Sequence, residues 1–255
     1  MYVDARINGQ QGQRVSQHAN GLCLAYGVAP QERWKRIIAY ITDPQRVQVT
    51  PTGMGLEPPG SLPEFDESYN VVLAHPFFMH HVHRGLVPAD RLDLMLANIR
   101  ERWGAMLAAG ATTIWEMWFG FASQCHGWAG TPTFDLSSNI LGVMPIANGF
   151  ERTLVAPQPV DLELARGKCP TPKGEIEVVW ERDGDEFCLD VTAPDAIALD
   201  IALTTRAATV EVNEQTVWFN DAFHSNTAGV TSVEASPEGL RLLCPCGGTY
   251  HILAA

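Results

Sequence analysis

Basic residues are few in this chain of 255 residues: 17 lysines and arginines stand against 29 aspartates and glutamates, and the formal net charge is −12. Proteins that bind nucleic acid neutralise phosphates with clusters of Lys and Arg, which the sequence lacks. The composition therefore predicts no nucleic-acid partner. It suits a globular protein with a neutral small-molecule ligand.

Long apolar runs are also missing. No stretch of the sequence approaches the roughly 20 apolar residues that are needed to cross a bilayer. The first residues, which include Asp4 and Arg6, lack the apolar segment of a signal peptide. We therefore expect no membrane partner and a cytoplasmic location.

Clusters of metal ligands are scarce as well. The six cysteines are scattered, and only Cys244-Pro-Cys246 forms a close pair. Three disulfides are conceivable, but a chain without a signal peptide is expected to keep its thiols reduced. Zinc takes about four ligands, and in His80-His81-x-His83 adjacent histidines would not share one face of a helix. The sequence predicts no metal and no cofactor.

The first part of the chain carries helical patterns. Ser16 is a suitable N-cap, and Gly27 and Gly110 follow helical runs as stop signals. Residues 50–66 are rich in proline and glycine and predict a loop. Apolar residues at helical spacing predict helices over residues 17–26, 30–42, 69–85 (Pro76 either bends this helix or marks its start), 89–109 and 123–141.

From about Phe150 the pattern changes to alternating apolar and polar residues between turn signals, as in Glu175-Ile-Glu-Val-Val-Trp180. This period of two is typical of an antiparallel β-sandwich. The sequence therefore predicts a protein with an α and a β domain, with the boundary between residues 145 and 155.

The candidate functional residues lie near the middle of the chain. Glu116 stands between Trp115 and Trp118, and His126 follows at the start of another helical pattern. Tryptophan faces stack on sugar rings, while a carboxylate and an imidazole can bind hydroxyl groups or transfer a proton. The alternative is that both tryptophans belong to the core, that Glu116 is solvated and that His126 is structural.

Several motifs in this region resemble the C-terminal part of bacterial α-L-rhamnosidases of glycoside hydrolase family 78. They are Gly110-Ala-Thr-Thr-Ile-Trp-Glu116, His126-Gly-Trp128, Asn139-Ile-Leu-Gly-Val-Met-Pro145, Pro170-Thr-Pro-Lys-Gly174 and Val178-Val-Trp180. The resemblance implies a partial (α/α)6 barrel followed by an antiparallel β-sandwich. Residues 1–148 would form the C-terminal half of a six-hairpin catalytic barrel, and residues 149–255 the sandwich domain.

The resemblance also implies a function, the hydrolysis of terminal α-L-rhamnosyl linkages with inversion. Glu116 falls on the general base, His126 on a histidine that contacts the sugar, and Trp115 or Trp118 would wall the pocket. The substrate would be a rhamnose-containing glycoside. The general acid of the family lies upstream of the motifs present here, so we expect an incomplete catalytic unit that is inactive alone, with the missing barrel half or a second copy of the chain as partner.

Two other functions stay open. The chain is alternatively a non-catalytic carbohydrate-binding or interaction protein derived from such an enzyme, or another (α/α)6 sugar enzyme, since one scaffold hosts several chemistries. A further group of polar and aromatic residues could approach the cleft, without an assigned role: Asp4, Arg6, Gln17, Glu57, His75 and Trp128.

Overall fold

The computed structural model describes residues 1–50, 60, 62–119, 122–204, 207–224, 228–237 and 239–255. The chain divides into two compact units, Met1–Thr133 and Phe134–Ala255. The first unit is mainly helical and the second mainly β, which confirms the predicted order of helices before sheets. Most of the predicted loop 50–66, with Glu57, lies outside the described residues.

The helical segments begin and end as follows. The α-helices are α1 (Gln17–Ala25), α2 (Gln31–Ile41), α3 (Pro76–Leu86), α4 (Leu92–Asn98), α5 (Gly104–Ala108) and α6 (Thr131–Asp135). Turns of 3₁₀-helix span Val87–Ala89, Gly127–Ala129 and Asn148–Phe150, and π-helical turns span Ile99–Trp103 and Leu136–Ile140. The π turn at Ile99–Trp103 joins α4 to α5 without a break. The long helix predicted over residues 89–109 is therefore present but begins only at Leu92, because Asp90 has a left-handed backbone conformation (φ 54°) that a helix does not contain. No helix among the described residues is long and apolar enough to span a membrane.

Pro76 marks the start of the helix predicted over residues 69–85, which is one of the two alternatives that the sequence left open, because the fixed φ of proline suits the first turn of a helix. Val71–Val72, before it, forms a strand. The helix predicted over residues 123–141 is wrong in its first part. Its leading residues form backbone hydrogen bonds to a distant segment, Ile114–Glu116, and helical structure starts only at Gly127.

A close approach of two backbones organises the first unit. Helices α1 and α3 meet at Gly21 and Gly85, where a Cβ added to Gly85 would lie 2.8 Å from the carbonyl oxygen of Gly21. The side chain of Gln17 adds a second tie, since its Nε2 donates to the Ile41 carbonyl (2.8 Å) and its Oε1 accepts from the Ala74 amide (3.0 Å). Gln17 is therefore committed to holding three segments together.

Short strands accompany these helices. They are β1 (Arg6–Ile7), β2 (Gln10–Gln11), β3 (Val15–Ser16), β4 (Val47–Gln48) and β5 (Val71–Val72). Strands β1 and β2 form an antiparallel ribbon, whereas β3 and β4 flank β5 in a parallel sheet. In the parallel sheet, β3 directly precedes α1 and β5 precedes α3, so the sheet fixes where both helices begin.

The second unit contains two sheets. Its strands are β6 (Val143–Pro145), β7 (Arg152–Val155), β8 (Leu164–Thr171), β9 (Gly174–Asp183), β10 (Glu186–Ala193), β11 (Ala198–Leu203), β12 (Thr209–Val212), β13 (Gln215–Phe219), β14 (Ala222–Phe223), β15 (Ser232–Ser236), β16 (Gly239–Cys244) and β17 (Gly248–Ala254). One sheet has the order β14-β13-β12-β17-β10-β9-β8 and is antiparallel, and the other has the order β15-β16-β11-β7-β6 with a parallel pair, β7 and β11. Burial alternates along β9 and β10, with Trp180 and Leu189 fully buried, as the sandwich pattern predicts.

Residues 134–145 pack within this second unit. The indole of Trp180 donates to the Ile140 carbonyl at 3.1 Å, and Leu141 lies against Gly167. The buried carboxylate of Asp200 on β11 binds Arg152 on β7 and Arg241 on β16, which ties three strands of the smaller sheet. The predicted domain boundary between residues 148 and 149 stays a prediction.

We expect Gly85→Ala to lower the free energy of unfolding by about 1–3 kcal/mol, because its Cβ would push α1 away from α3. The matched control is Gly104→Ala, in a helix where an added Cβ meets nothing within 4 Å. It should leave stability unchanged or raise it by up to about 1 kcal/mol. Urea unfolding followed by circular dichroism measures both, and equal effects would contradict the role given to Gly85.

Candidate functional site

Two backbone segments form the candidate site. The amide of Glu116 donates to the Ser123 carbonyl at 2.9 Å, and the amide of His126 donates to the Ile114 carbonyl at 2.9 Å. The Thr113 hydroxyl adds a bond to the carbonyl of Gln124. These bonds hold the two segments side by side, so that Glu116 and His126, which are separated in the sequence, lie on neighbouring stretches of backbone.

The carboxylate of Glu116 makes few interactions with the residues that the structure describes. The residue is half-buried, and its Oε2 accepts one long hydrogen bond, 3.4 Å from the Ser123 amide. It forms no ion pair with any residue that the structure describes. An ionised carboxylate has about four lone-pair sites, so Glu116 keeps acceptor capacity for a ligand or a water molecule.

The ring of His126 is also uncommitted. It contacts Phe77 and Trp128, with ring centroids 6.5 and 5.9 Å away and steep interplanar angles. Its Nδ1 is buried and has no hydrogen-bond partner in the described part of the chain. His81 shares this feature of the ring, and a ligand-binding role for His126 stays a prediction.

The two candidate tryptophans differ in how the fold uses them. The Trp118 indole donates to the Ala74 carbonyl at 2.7 Å and meets Trp103 edge-on, with centroids 4.9 Å apart. Trp118 therefore belongs to the scaffold that carries the site. Trp115 packs against the same hydrophobic core, but its indole N–H donates to none of the residues described. A pocket-wall role for either tryptophan stays a prediction.

Two aromatic residues beside the site were missed by the sequence analysis. Phe77 contacts His126, and Phe119 contacts His75 with ring centroids 5.5 Å apart. A helix start at Pro76, one of the two alternatives that the sequence left open, places Phe77 in the first turn of α3, and this was the signal that could have identified it.

The other residues that could approach the cleft are partly explained by local structure. Asp4 accepts from the hydroxyl of Ser16, the N-cap of α1, at 2.5 Å, and Arg6 donates to the Gly9 carbonyl. His83 is buried and bonded to Asn98. Burial, with added repulsion from His80 and Arg84, lowers the pKa of the His81 imidazole. Across the described ranges, no group of three or more His, Cys, Asp or Glu could hold a metal ion.

We expect Trp118→Phe to destabilise the chain more than Trp115→Phe does. The first change leaves the Ala74 carbonyl without its donor and should lower the free energy of unfolding by about 1–3 kcal/mol. The second removes no hydrogen bond to a described residue, and its effect should stay below about 1 kcal/mol. Urea unfolding of both variants tests this, and the reverse order would contradict the structural role of Trp118.

Comparison with known proteins gives a consistent result. The sequence model of the bacterial alpha-L-rhamnosidase C-terminal domain matches residues 142–217. An alpha-L-rhamnosidase of Alteromonas sp. (strain LOR) is 32% identical over 114 residues, which are 40% of this chain and 12% of that protein. A GH78 family rhamnosidase of Bacillus sp. GL1, known from its crystal structure, is 31% identical with a TM-score of 0.62, over 77% of this chain and 20% of that one.

A more distant structure matches the whole chain. It is the alpha-L-rhamnosidase of Streptomyces avermitilis, complexed with L-rhamnose. The match covers 100% of this chain and 22% of that chain, with a TM-score of 0.68 and 17% identity. At this identity the likeness concerns the fold alone. The chain spans 12% of the curated Alteromonas relative and 20–22% of these two structures. Together these matches confirm the resemblance that the sequence motifs carry.

Proposed function

We propose that this chain is the C-terminal portion of an inverting glycoside hydrolase that acts on terminal α-L-rhamnosyl linkages. The proposal starts from its similarity to the C-terminal part of bacterial α-L-rhamnosidases of glycoside hydrolase family 78. The observation that carries the proposal is the carboxylate of Glu116, which is half-buried, free of ion pairs among the described residues and paired through its backbone with the segment of His126. In this proposal residues 1–148 are half of an (α/α)6 barrel and residues 149–255 the sandwich domain.

Each candidate residue has a distinct role in this reaction. Glu116 is the general base that removes a proton from the attacking water. An inverting mechanism also needs a general acid, roughly 6.5–9.5 Å from the base, that protonates the leaving oxygen. We assign the acid to a segment outside this chain. His126 binds a sugar hydroxyl, Trp115 flanks the sugar ring, and two carboxyl groups and a water molecule complete the reaction without a metal or cofactor.

A second candidate function is carbohydrate binding without catalysis. It is favoured by Trp128, whose indole is 80% exposed next to His126, because an open aromatic face suits a sugar ring with or without a general acid. The two functions differ in whether Glu116 matters for turnover. The cytoplasmic location and the lack of nucleic-acid and membrane partners stay predictions.

We expect the purified 255-residue chain to release no L-rhamnose from methyl α-L-rhamnopyranoside above the rate in buffer. The physical reason is that the methoxide leaving group must be protonated as it departs, and a base without a positioned acid leaves it unprotonated. Chromatographic measurement of free L-rhamnose follows the reaction. Sustained turnover that disappears in Glu116→Gln would show that the chain is a complete catalytic unit and would contradict this part of the proposal.

A chimera tests the role of Glu116 directly. In it, this chain replaces the matching segment of the Bacillus sp. GL1 rhamnosidase, which supplies the remainder of the barrel. We expect Glu116→Gln to lower kcat by about 10²–10⁴-fold while KM stays nearly unchanged, because the amide accepts no proton.

The matched control is Glu101→Gln, which removes a carboxylate that pairs with Arg102 and should leave kcat within about twofold. Proton NMR should identify β-L-rhamnose as the first product, since inversion changes the anomer. Full activity of Glu116→Gln, in a chimera that is itself active, would rule out the general-base role.

A further inference from the structure

Trp128 differs from three other tryptophans of the first unit in its hydrogen bonding and from the half-buried Trp115 in its exposure. Trp34, Trp103 and Trp118 each donate their indole N–H to a backbone carbonyl, at 2.7, 3.1 and 2.7 Å. Trp128 makes no hydrogen bond to the residues that the structure describes, and 80% of it is exposed. An indole face open to water gains free energy when another apolar surface covers it.

The neighbours of Trp128 place it at the candidate site. Its ring meets that of His126 edge-on at 5.9 Å, and Phe77, which is 42% exposed, also meets the ring of His126 edge-on, at 6.5 Å. The backbone of His126 is bonded to Ile114, two positions before Glu116. Three rings therefore form a continuous, partly open aromatic surface next to the backbone that carries the candidate base.

We propose that Trp128, with the edge of Phe77, is the stacking surface for the leaving group of the substrate, the ring to which the rhamnosyl unit is attached. The inference rests on the proposed function and deepens it. Ligand pockets bury roughly 70–90% of a small ligand, so residues that enclose the rhamnosyl unit should be covered, as the half-buried Trp115 is. An indole as open as that of Trp128 lies at the rim, where the projecting part of the substrate passes.

Isothermal titration calorimetry of the purified 255-residue chain tests this with two ligands that share the rhamnosyl unit. Methyl α-L-rhamnopyranoside has no leaving-group ring, whereas p-nitrophenyl α-L-rhamnopyranoside carries an aromatic one. We expect Trp128→Ala to raise the Kd of the p-nitrophenyl ligand about tenfold, the usual size of a lost aromatic contact. The Kd of the methyl ligand should change by less than about twofold.

The controls separate stacking from loss of structure. Trp128→Phe keeps a flat ring and should restore most of the affinity. Tyr26→Ala removes another ring of the same unit, 56% exposed, and should leave both Kd values unchanged. Circular dichroism should show the same fold for all variants, since Trp128 contacts little of the protein.

The outcomes distinguish this inference from the function on which it rests. If the unchanged chain binds both ligands and Trp128→Ala weakens them equally or not at all, the leaving-group role is overturned while the rhamnoside site stands. The same holds if Trp128→Ala changes only the self-association seen in size-exclusion chromatography. If the unchanged chain binds neither ligand at millimolar concentration, the stacking role is overturned for this chain, while the proposed general-base role of Glu116 is decided separately by the chimera.

Discussion

The hydrogen bond from the Trp118 indole to the Ala74 carbonyl is the constraint on which the candidate site depends. Residues 111–119 contain no helix or strand, so this segment has few backbone bonds of its own. The indole fixes its end to the hydrophobic core at the start of α3, and edge-on packing against Trp103 holds the ring in place. The position of Glu116 is thus set by core packing two residues away.

The sequence predicted much of the fold because its strongest signals are local. Ser16 caps α1 by accepting from the Ala19 amide at 3.1 Å, as its type and position indicate. Alternation likewise identified β9, which contains the run Glu175–Trp180. The errors arose where distant backbone decided the structure: the segment before Gly127 is bonded to Ile114–Glu116 and is not helical. Periodicity within one segment holds no information about such a partner.

The residue types of the site could be predicted from the sequence, but not which of these residues support the fold and which face the site. The motif resemblance identified Glu116 and His126, and backbone hydrogen bonds explain how the two segments that carry them come to lie side by side. Which tryptophan serves the scaffold depends on an acceptor, Ala74, that is far away in the sequence. The exposure of Trp128 likewise follows from tertiary packing. The sequence suggests that a tryptophan is functional. Only the contacts of its indole in the fold show whether that tryptophan supports the core or lies on the surface.

The place of β17 in the larger sheet has a consequence for biosynthesis. This strand lies between β12 and β10, so residues 248–254 join two groups of strands that are not otherwise adjacent. The sheet can close only after those residues have emerged from the ribosome, and β10 and β12 expose open edges until then. A nascent chain that stalls, or a protease that trims the segment, would leave two half-sheets whose free edges favour aggregation.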